Sequence, residues 1–589
     1  MNKNKEIKLK QDLLKLKGER KFNEAKKLAL QLSKKLSNDI EIWFALGQLQ
    51  AEVGEYKKAV LSYSKIYRRS SPLKIEALER ALDLCVKHKF SQLGMDPAQI
   101  LTRIKPESAD AHFKHGLLWF ELKHYLNAKK HFVAALKFEP ENTKYLNQFG
   151  LLNILLGKPE ESLPYFKKCQ KLIPDDKYAY YFHLWALNYV DGIADDDIVL
   201  EHRKYAELLE SKCPEVEPFN GEVKASNRLK VGFVSQDFKT HSVAYFFLPI
   251  IKNYSKENWE VFCYSDVGRP DGTTQKIRSE SEHWCDSHDM TDRELYAQIR
   301  SDGIDILIDL VGIIGEGRLE LFAMKAAPIQ AIYLGYPNTS GLTRMDYRIS
   351  DEWSDEKVIA DQIYTEKLIR LKTGFLCFEP VSDAPAVSAL PALNKNTITF
   401  GSFNIFQKIS QKMLKVWAQI LTSVPNSKLL IKTLPLVEDL CRNEILATFS
   451  TLGVSKDRII LRGWTESRKA HLDMCNQVDI HLDTFPYNGT TTTCETLWQG
   501  VPTVTLAGNN HRSRVGLSIM HQVDLHDWVA KTEQEYINIA VRKSTDLEHL
   551  GALRQSLREK VKTSPLLDYD AFISELERQF TDIMSVPHK

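Results

Sequence analysis

The stretch Val478–Leu506, VDIHLDTFPYNGTTTTCETLWQGVPTVTL, reads as strand, turn, helix, strand. A short apolar run ends at Asp483, the loop TFPYNG turns the chain, and a helix begins within four consecutive threonines, Thr490–Thr493. A second apolar run, PTVTLAG, follows. Two buried strands joined by a helix form the parallel βαβ unit. The start of such a helix carries unpaired N–H groups and the positive end of its dipole, and both attract anions. Threonine hydroxyls add donors, so the stretch reads as a cradle for a diphosphate. Glu495, one turn inside, is placed to accept hydrogen bonds from ribose hydroxyls. A threonine-capped helix with no ligand would show the same pattern.

The same alternation extends in both directions. LKVGFVS, WEVFCYS, IDILIDL and IQAIYLG lie between Leu229 and Gly335, with helical segments such as ELYAQIRSDG between them. After a Pro/Ala-rich joint at Pro380–Asn394 it restarts with ITFGSFN, SKLLIKT, DRIILRG, VDIHLDT and PTVTLAG. Two blocks of this kind predict two Rossmann-like lobes, with a ligand cleft at the carboxyl ends of the strands.

Several polar residues fall at those ends. Lys408, in GSFNIFQKIS, leaves a strand where a cation can neutralise a departing diphosphate; a solvated lysine is the plainer reading. Asn404, in the same loop, is a candidate ligand-binding residue. His241, in VSQDFKTHSVAYF, sits just past the first strand and is a candidate base or donor-positioning group, or a structural histidine. His471, after DRIILRGWTESRKA, can contact a base or phosphates, or simply face solvent on a helix. Asp479, His481 and Asp483 alternate like metal ligands, but they share one face of a buried strand, and structural roles are favoured for Asp479 and His481. Asp195–Asp197 contains a DxD spacing that is better read as capping a helix.

The N-terminal third repeats. His112, Gly116, Ala128, Phe132, Ala135 and Pro140 shifted by 34 residues bring Gly150 onto Gly116, Phe166 onto Phe132 and Pro174 onto Pro140. Ser162 and Cys169 take the two alanine positions, and Trp43, Leu46, Gly47, Ala59, Tyr63 and Pro72 form an earlier unit. This is the tetratricopeptide period. Poorer units are expected near residues 8–38 and 73–106, with Asp176–Tyr189 capping the array. Such a solenoid binds proteins or peptides rather than catalysing a reaction.

A chain of 589 residues requires several domains, and a net charge of +2 gives no global pull toward nucleic acid. The Lys-rich first 35 residues read as the solvated face of an opening helix. Nine scattered cysteines without a CxxC pair argue for reduced thiols and against zinc. The N-terminus has no apolar stretch of signal-peptide length, and no run approaches the roughly 20 residues needed to span a bilayer. The expectation is a cytoplasmic protein with no membrane or nucleic-acid partner.

Taken in order, LKVGFVSQDFKTHSVAYF, DGIDILIDLVG, APIQAIYLGYPNTSG, FNIFQKI, WAQILTSVPNSKLLIK, DTFPYNGTTTTCETLWQGVPTVTLAG and SRVG, preceded by repeats, resemble the O-GlcNAc transferase family with its spindly branch. The resemblance implies an α-solenoid of tetratricopeptide repeats (1–190), a helix and linker (191–228), and an α/β GT-B fold. The N-terminal catalytic lobe would span 229–390, and the nucleotide-sugar lobe with terminal helices 391–589. It implies a metal-independent, cofactor-free inverting transfer of a sugar to Ser/Thr of acceptor proteins, with GlcNAc from UDP-GlcNAc as the leading donor. GDP-fucose or UDP-glucose are alternative donors, and an inactive repeat scaffold is the alternative of another class. A homo-oligomer is compatible with this reading. By the same resemblance, His241 falls on the active-site histidine, Lys408 on the phosphate-binding lysine, His471 on the histidine near the nucleotide, and Thr491 and Thr492 on the diphosphate-binding threonines. Thr490 stands where the animal enzymes carry histidine, Glu495 replaces an aspartate, Ile405 a polar residue, and Ile313 a position that is often His or aromatic. GTTTTCE and HSVAYF look more like the spindly branch, which resembles a protein O-fucosyltransferase.

Overall fold

The computed structural model describes residues 3–219, 228–315 and 317–585. The chain divides into two compact units, Met1–Asn153 with Pro164–Pro174, and Ile154–Leu163 with Asp175–Lys589.

The first unit is a stack of antiparallel helical hairpins. Lys3–Gly18 pairs with Phe22–Lys35, Ile40–Glu52 with Tyr56–Tyr67, Lys74–Lys87 with Ser91–Ile104, and Ala109–Glu121 with Tyr125–Phe138. The 34-residue period has a steric cause. A Cβ at Gly47 would lie 2.7 Å from the Tyr63 ring, one at Gly116 would lie 2.5 Å from Phe132, and one at Gly150 would lie 2.5 Å from Phe166. Each glycine is the hole for the aromatic sixteen residues later. The opening helices are amphipathic, as expected: Leu13, Ala25, Ala29 and Leu32 are buried.

The second unit contains two parallel sheets. The first runs in the order β3-β2-β1-β4-β5-β6-β7, with β1 Leu229–Ser235, β2 Trp259–Ser265, β3 His283–Asp286, β4 Ile306–Asp309, β5 Ile329–Ile332, β6 Tyr347–Asp351 and β7 Lys367–Leu371. The second runs β10-β9-β8-β11-β12-β13, with β8 Ile398–Ser402, β9 Ser427–Lys432, β10 Ile459–Arg462, β11 Ile480–Leu482, β12 Thr503–Leu506 and β13 Val529–Ala530. Each sheet reverses its winding once, between β1 and β4 and between β8 and β11, and ligands bind beyond the carboxyl strand ends at such points.

β3, β6, β7 and β13 were not among the expected strands. β3 (HWCD) is a half-exposed edge with no apolar run. β6 (YRISD) is buried but polar: Arg348 donates to the Asn338 carbonyl at 2.9 Å, and Asp351 accepts from the amides of Ser354 and Phe375. Its residues are mostly polar, with no apolar run, so no local hydrophobic pattern announces it.

Three boundaries differ from expectation. The helix Lys177–Leu187, expected to cap the repeats, shares a core with the first lobe: Leu184 and Leu187 pack with Ile198, Tyr205, Leu307 and Phe322. Tyr336 ties it down, bonding His202 Nε2 at 2.7 Å and Asn188 Nδ2 at 3.0 Å. The three aspartates Asp195–Asp197 form the first turn of the helix Asp195–Glu210 instead of capping it; Ala194 is the cap residue, and Asp195 accepts from Asn510 Nδ2 at 2.8 Å. Finally, the helix Tyr569–Met584, grouped by sequence with the second lobe, packs on the first. Phe580 stacks on Trp259 at 5.0 Å, and Glu577 accepts from the Ser255 amide at 3.0 Å.

Candidate active site

A cavity of about 310 Å³ lies where the carboxyl ends of the two sheets face each other. The first lobe lends it Asp237 and His241 after β1 and Val311 after β4. The second lends Asn404, Ile405 and Lys408 after β8, Tyr487 and Thr490–Thr492 after β11, and His511 after β12. Trp185 on the helix Lys177–Leu187 and Tyr189 just after it complete the wall.

The loop from Asp483 to Thr490 is built around one buried carboxylate. Asp483 accepts from the amides of Gly489 at 2.7 Å and Thr484 at 2.8 Å, from the Thr505 hydroxyl at 2.8 Å, and from Asn404 Nδ2 at 3.2 Å. The Asn404 carbonyl oxygen in turn accepts from the Thr492 hydroxyl at 3.0 Å. Asp483, Asn404 and Thr492 therefore fix the start of the helix Thr491–Trp498 across the reversal point of the sheet. Gly489 is required there, because a Cβ would meet Thr492 Oγ1 at 2.6 Å and Asn404 Oδ1 at 2.8 Å. No side chain caps the helix at Thr490, so its first-turn N–H groups are available to a ligand. Of the four threonines, Thr490–Thr492 border the cavity. Thr493 is buried and donates to the Gly489 carbonyl at 3.2 Å.

Lys408 closes this cradle from the other side. Its Nζ donates to the Asn488 carbonyl at 2.6 Å and lies 3.7 Å from the centroid of the Tyr487 ring. Burial lowers its pKa to about 7, against a partial upward pull from the Asp483 carboxylate. Burial raises Asp483 to about 6. An ammonium desolvated in this way is stabilised by an arriving anion.

His241 lies at the more open part of the cavity, with 44% of its side-chain surface exposed and Nδ1 3.4 Å from Asp237 Oδ2. The protein mass around the cleft desolvates the pair, lowering the pKa of His241 and raising that of Asp237.

His471 and Glu495 are brought together beside the cavity rather than in its wall. Glu495 Oε1 accepts from Arg468 Nε at 2.9 Å, and Oε2 lies 3.4 Å from His471 Nε2. Burial alone would raise the Glu495 carboxyl, but His471 and Arg468 outweigh it and hold the pKa below the ordinary value. The Arg468 guanidinium also stacks 3.3 Å over the ring of Tyr245, a first-lobe residue.

Asp479 accepts from the amides of Ala392 and Thr399, and His481 bonds the Thr503 hydroxyl at 3.1 Å, so both are structural. Ile313 is buried in the first-lobe core, whereas Ile405 is 46% exposed and faces the cavity. Among the described residues no group of three His, Cys, Asp or Glu side chains is placed to hold a metal ion. The sequence reading passed over Asp483 as an organiser, and over Trp185, Tyr189, Tyr487 and His511 as wall residues. The available signal for His511 was a polar loop, NNHRS, directly after the buried strand β12.

The family model for glycosyl transferase family 41 matches residues 210–382 and 386–576, and a tetratricopeptide-repeat model matches residues 143–176. A protein of Oryza sativa named probable UDP-N-acetylglucosamine–peptide N-acetylglucosaminyltransferase SPINDLY is 37% identical over 71% of this chain and 45% of its own length. The Arabidopsis thaliana protein given the same enzyme name with the designation SEC is 32% identical over 60% of this chain and 37% of its own. The chain thus spans about half the length of the curated relatives it matches. A solved structure of a Thermobaculum terrenum O-GlcNAc transferase variant superposes with a TM-score of 0.81 at 29% identity, covering 87% of this chain and 99% of the other. A two-lobed parallel fold with a family model over both lobes leaves one assignment: the chain belongs to glycosyltransferase family 41.

Proposed function

We propose that this protein transfers a sugar from a nucleoside diphosphate to serine or threonine hydroxyls of other proteins. The observation that carries this reading is the convergence of Lys408 and the uncapped helix start at Thr490–Thr492 on one cavity that His241 enters from the opposite lobe. The diphosphate lies at the helix start. The acceptor hydroxyl attacks the anomeric carbon in line as the bond to the phosphate oxygen breaks. The leaving diphosphate keeps the electron pair, stabilised by Lys408, the first-turn amides and the threonine hydroxyls, the dominant electrostatic contribution to such a step. The hydroxyl proton passes to a base on the attack side, where His241 stands either to take it or to position the donor. His471 and Glu495 hold the nucleoside end. Neither a metal nor a cofactor is required by this residue set. The tetratricopeptide repeats supply the surface for the polypeptide acceptor.

GlcNAc from UDP-GlcNAc is the leading donor, in keeping with the names of the relatives. GDP-fucose is the second reading, favoured by Thr490 and Glu495, which follow the spindly pattern. Intact-mass analysis of an acceptor protein co-expressed with this chain tests both. A gain matching one N-acetylhexosamine supports the first and one deoxyhexose the second. An unmodified acceptor, with no nucleoside diphosphate bound at high concentration, removes the reading.

A further inference from the structure

Two histidines border the cavity, and they differ in depth and support. His241 is largely open, and its aspartate stands at 3.4 Å. His511 is only 3% exposed, and its Nδ1 donates to Asp355 Oδ2 at 2.7 Å. Asp355 is itself locked in place: its Oδ1 accepts from the Tyr364 hydroxyl at 3.0 Å, Ser350 bonds its Oδ2, and Arg348 lies at 4.0 Å. In the neutral imidazole the carboxylate fixes the tautomer with the proton on Nδ1 and Nε2 as the acceptor. That nitrogen has no hydrogen-bond partner among the described residues and is not sealed from solvent. The ring borders the cavity, braced edge-on by Phe375 at 4.9 Å.

The pair is also assembled from both lobes. Asp355 follows β6 and His511 follows β12. The Asn488 amide donates to the Arg512 carbonyl at 2.8 Å, so the His511 turn is joined directly to the loop that carries the diphosphate cradle.

Resting on the transferase reading, we propose that the Asp355-oriented imidazole of His511 accepts a hydrogen bond from a hydroxyl of the donor's hexose ring and so helps select the sugar. Depth argues for the donor rather than the acceptor. A nucleotide sugar anchored at Thr490–Thr492 places its pyranose inside the cavity, beside the buried histidine. The acceptor arrives from outside, on the side where the exposed His241 stands. A fixed acceptor of this kind discriminates between sugars, because an analogue without a hydroxyl at that place leaves a buried nitrogen unpaired.

The test uses the full chain with His511→Ala, His511→Gln and Asp355→Asn, UDP and GDP as sugar-free probes, and UDP-GlcNAc and GDP-fucose as donors. Unchanged affinity for the free nucleotide serves as the folding control. His511→Ala is expected to raise KM for the preferred donor by about tenfold, the effect of one lost hydrogen bond to a buried group. It should also narrow the preference between the two donors. His511→Gln, which keeps an acceptor, should recover part of the loss, and Asp355→Asn, which releases the tautomer, should fall between. A His511→Ala variant with unchanged donor KM and preference overturns the proposal. A fall in kcat alone, with loss of the acid limb of the pH–rate profile, also overturns it and makes His511 the proton acceptor instead. Failure of the unaltered protein to bind either nucleotide would instead strike the transferase reading beneath it.

Discussion

Lys408 Nζ and the Asn488 carbonyl oxygen are 2.6 Å apart and 80 residues apart in the chain. The bond joins the loop after β8 to the loop after β11, the two arms of the reversal point of the second sheet. It holds a desolvated ammonium beside the helix start at Thr491 with one donated hydrogen committed and, among the described residues, no ion pair at contact distance. This is the arrangement of a cation held ready for an anionic ligand.

Replacing Lys408 by methionine keeps the volume of the side-chain stem and removes the charge. Transfer should fall by about two to three orders of magnitude, the usual effect of losing one preorganised stabiliser of a developing oxyanion. The circular dichroism spectrum and melting temperature should stay near those of the unaltered protein. Full turnover in this variant would count against Lys408 as the diphosphate partner.

Nucleotide affinity should depend on pH through the same residue. Free Lys408 titrates near pH 7, and a bound diphosphate raises its pKa, since an opposite charge favours the ammonium. Below pH 7 the lysine is already charged, and affinity is independent of its titration. Above pH 7 each binding event takes up a proton, so affinity falls as pH rises, at most about tenfold per unit. Calorimetry of UDP or GDP binding in buffers of different ionisation enthalpy at pH 8 reads the proton uptake directly. A buffer-independent enthalpy contradicts the assignment.

Glu495→Gln should be destabilising. The substitution strips the buried counter-charge from Arg468 and His471, and breaking such a pair from one side costs about 3 kcal/mol. Because the folded pKa of Glu495 is lowered, its ionic contribution is present above the unfolded carboxyl value of about 4.3 and is lost as pH falls through the folded one. Urea denaturation at pH 7 and at pH 3.5 should show a gap between the two proteins that narrows at the lower pH.

In the repeats, Gly116→Ala would place a methyl group 2.5 Å from the Phe132 ring. Overpacking of this kind is expected to destabilise the solenoid by about 1–3 kcal/mol. Adding Phe132→Leu to the same chain should return part of the loss, measurable by thermal denaturation. A Gly116→Ala protein as stable as its parent would mean that the hairpin accommodates the methyl by shifting.

Much of this was legible in the sequence because it is local. The glycine–aromatic spacing that builds each hairpin lies within one 34-residue window, and the apolar runs of β1, β2, β4 and β8 each bury themselves whatever their neighbours are. The threonine-led helix start could be read for the same reason: its free amides follow from backbone geometry alone. Lys408, His241 and Thr490–Thr492 were named from such positions, and the structure gathers them around one cavity.

What the chain could not announce is whatever depends on partners far away in sequence. Asp483 looked like the end of a strand; that it orders Gly489, Thr505 and Asn404 together appears only when the loops after β8 and β11 meet. Glu495 was read from its place one turn inside the helix; that Arg468 and His471 pair with it appears only in the fold. His511 sits in an unremarkable polar loop and acquires its carboxylate from the other lobe, 156 residues earlier. Periodicity and strand-end position are fixed by the covalent chain, so the sequence alone determined the repeats, most strands of the two sheets and the anion-seeking helix start. Burial, charge pairing and tautomer are set by groups that only folding brings together, and so the tertiary structure decided which polar residues face the ligand and which hold the others in place.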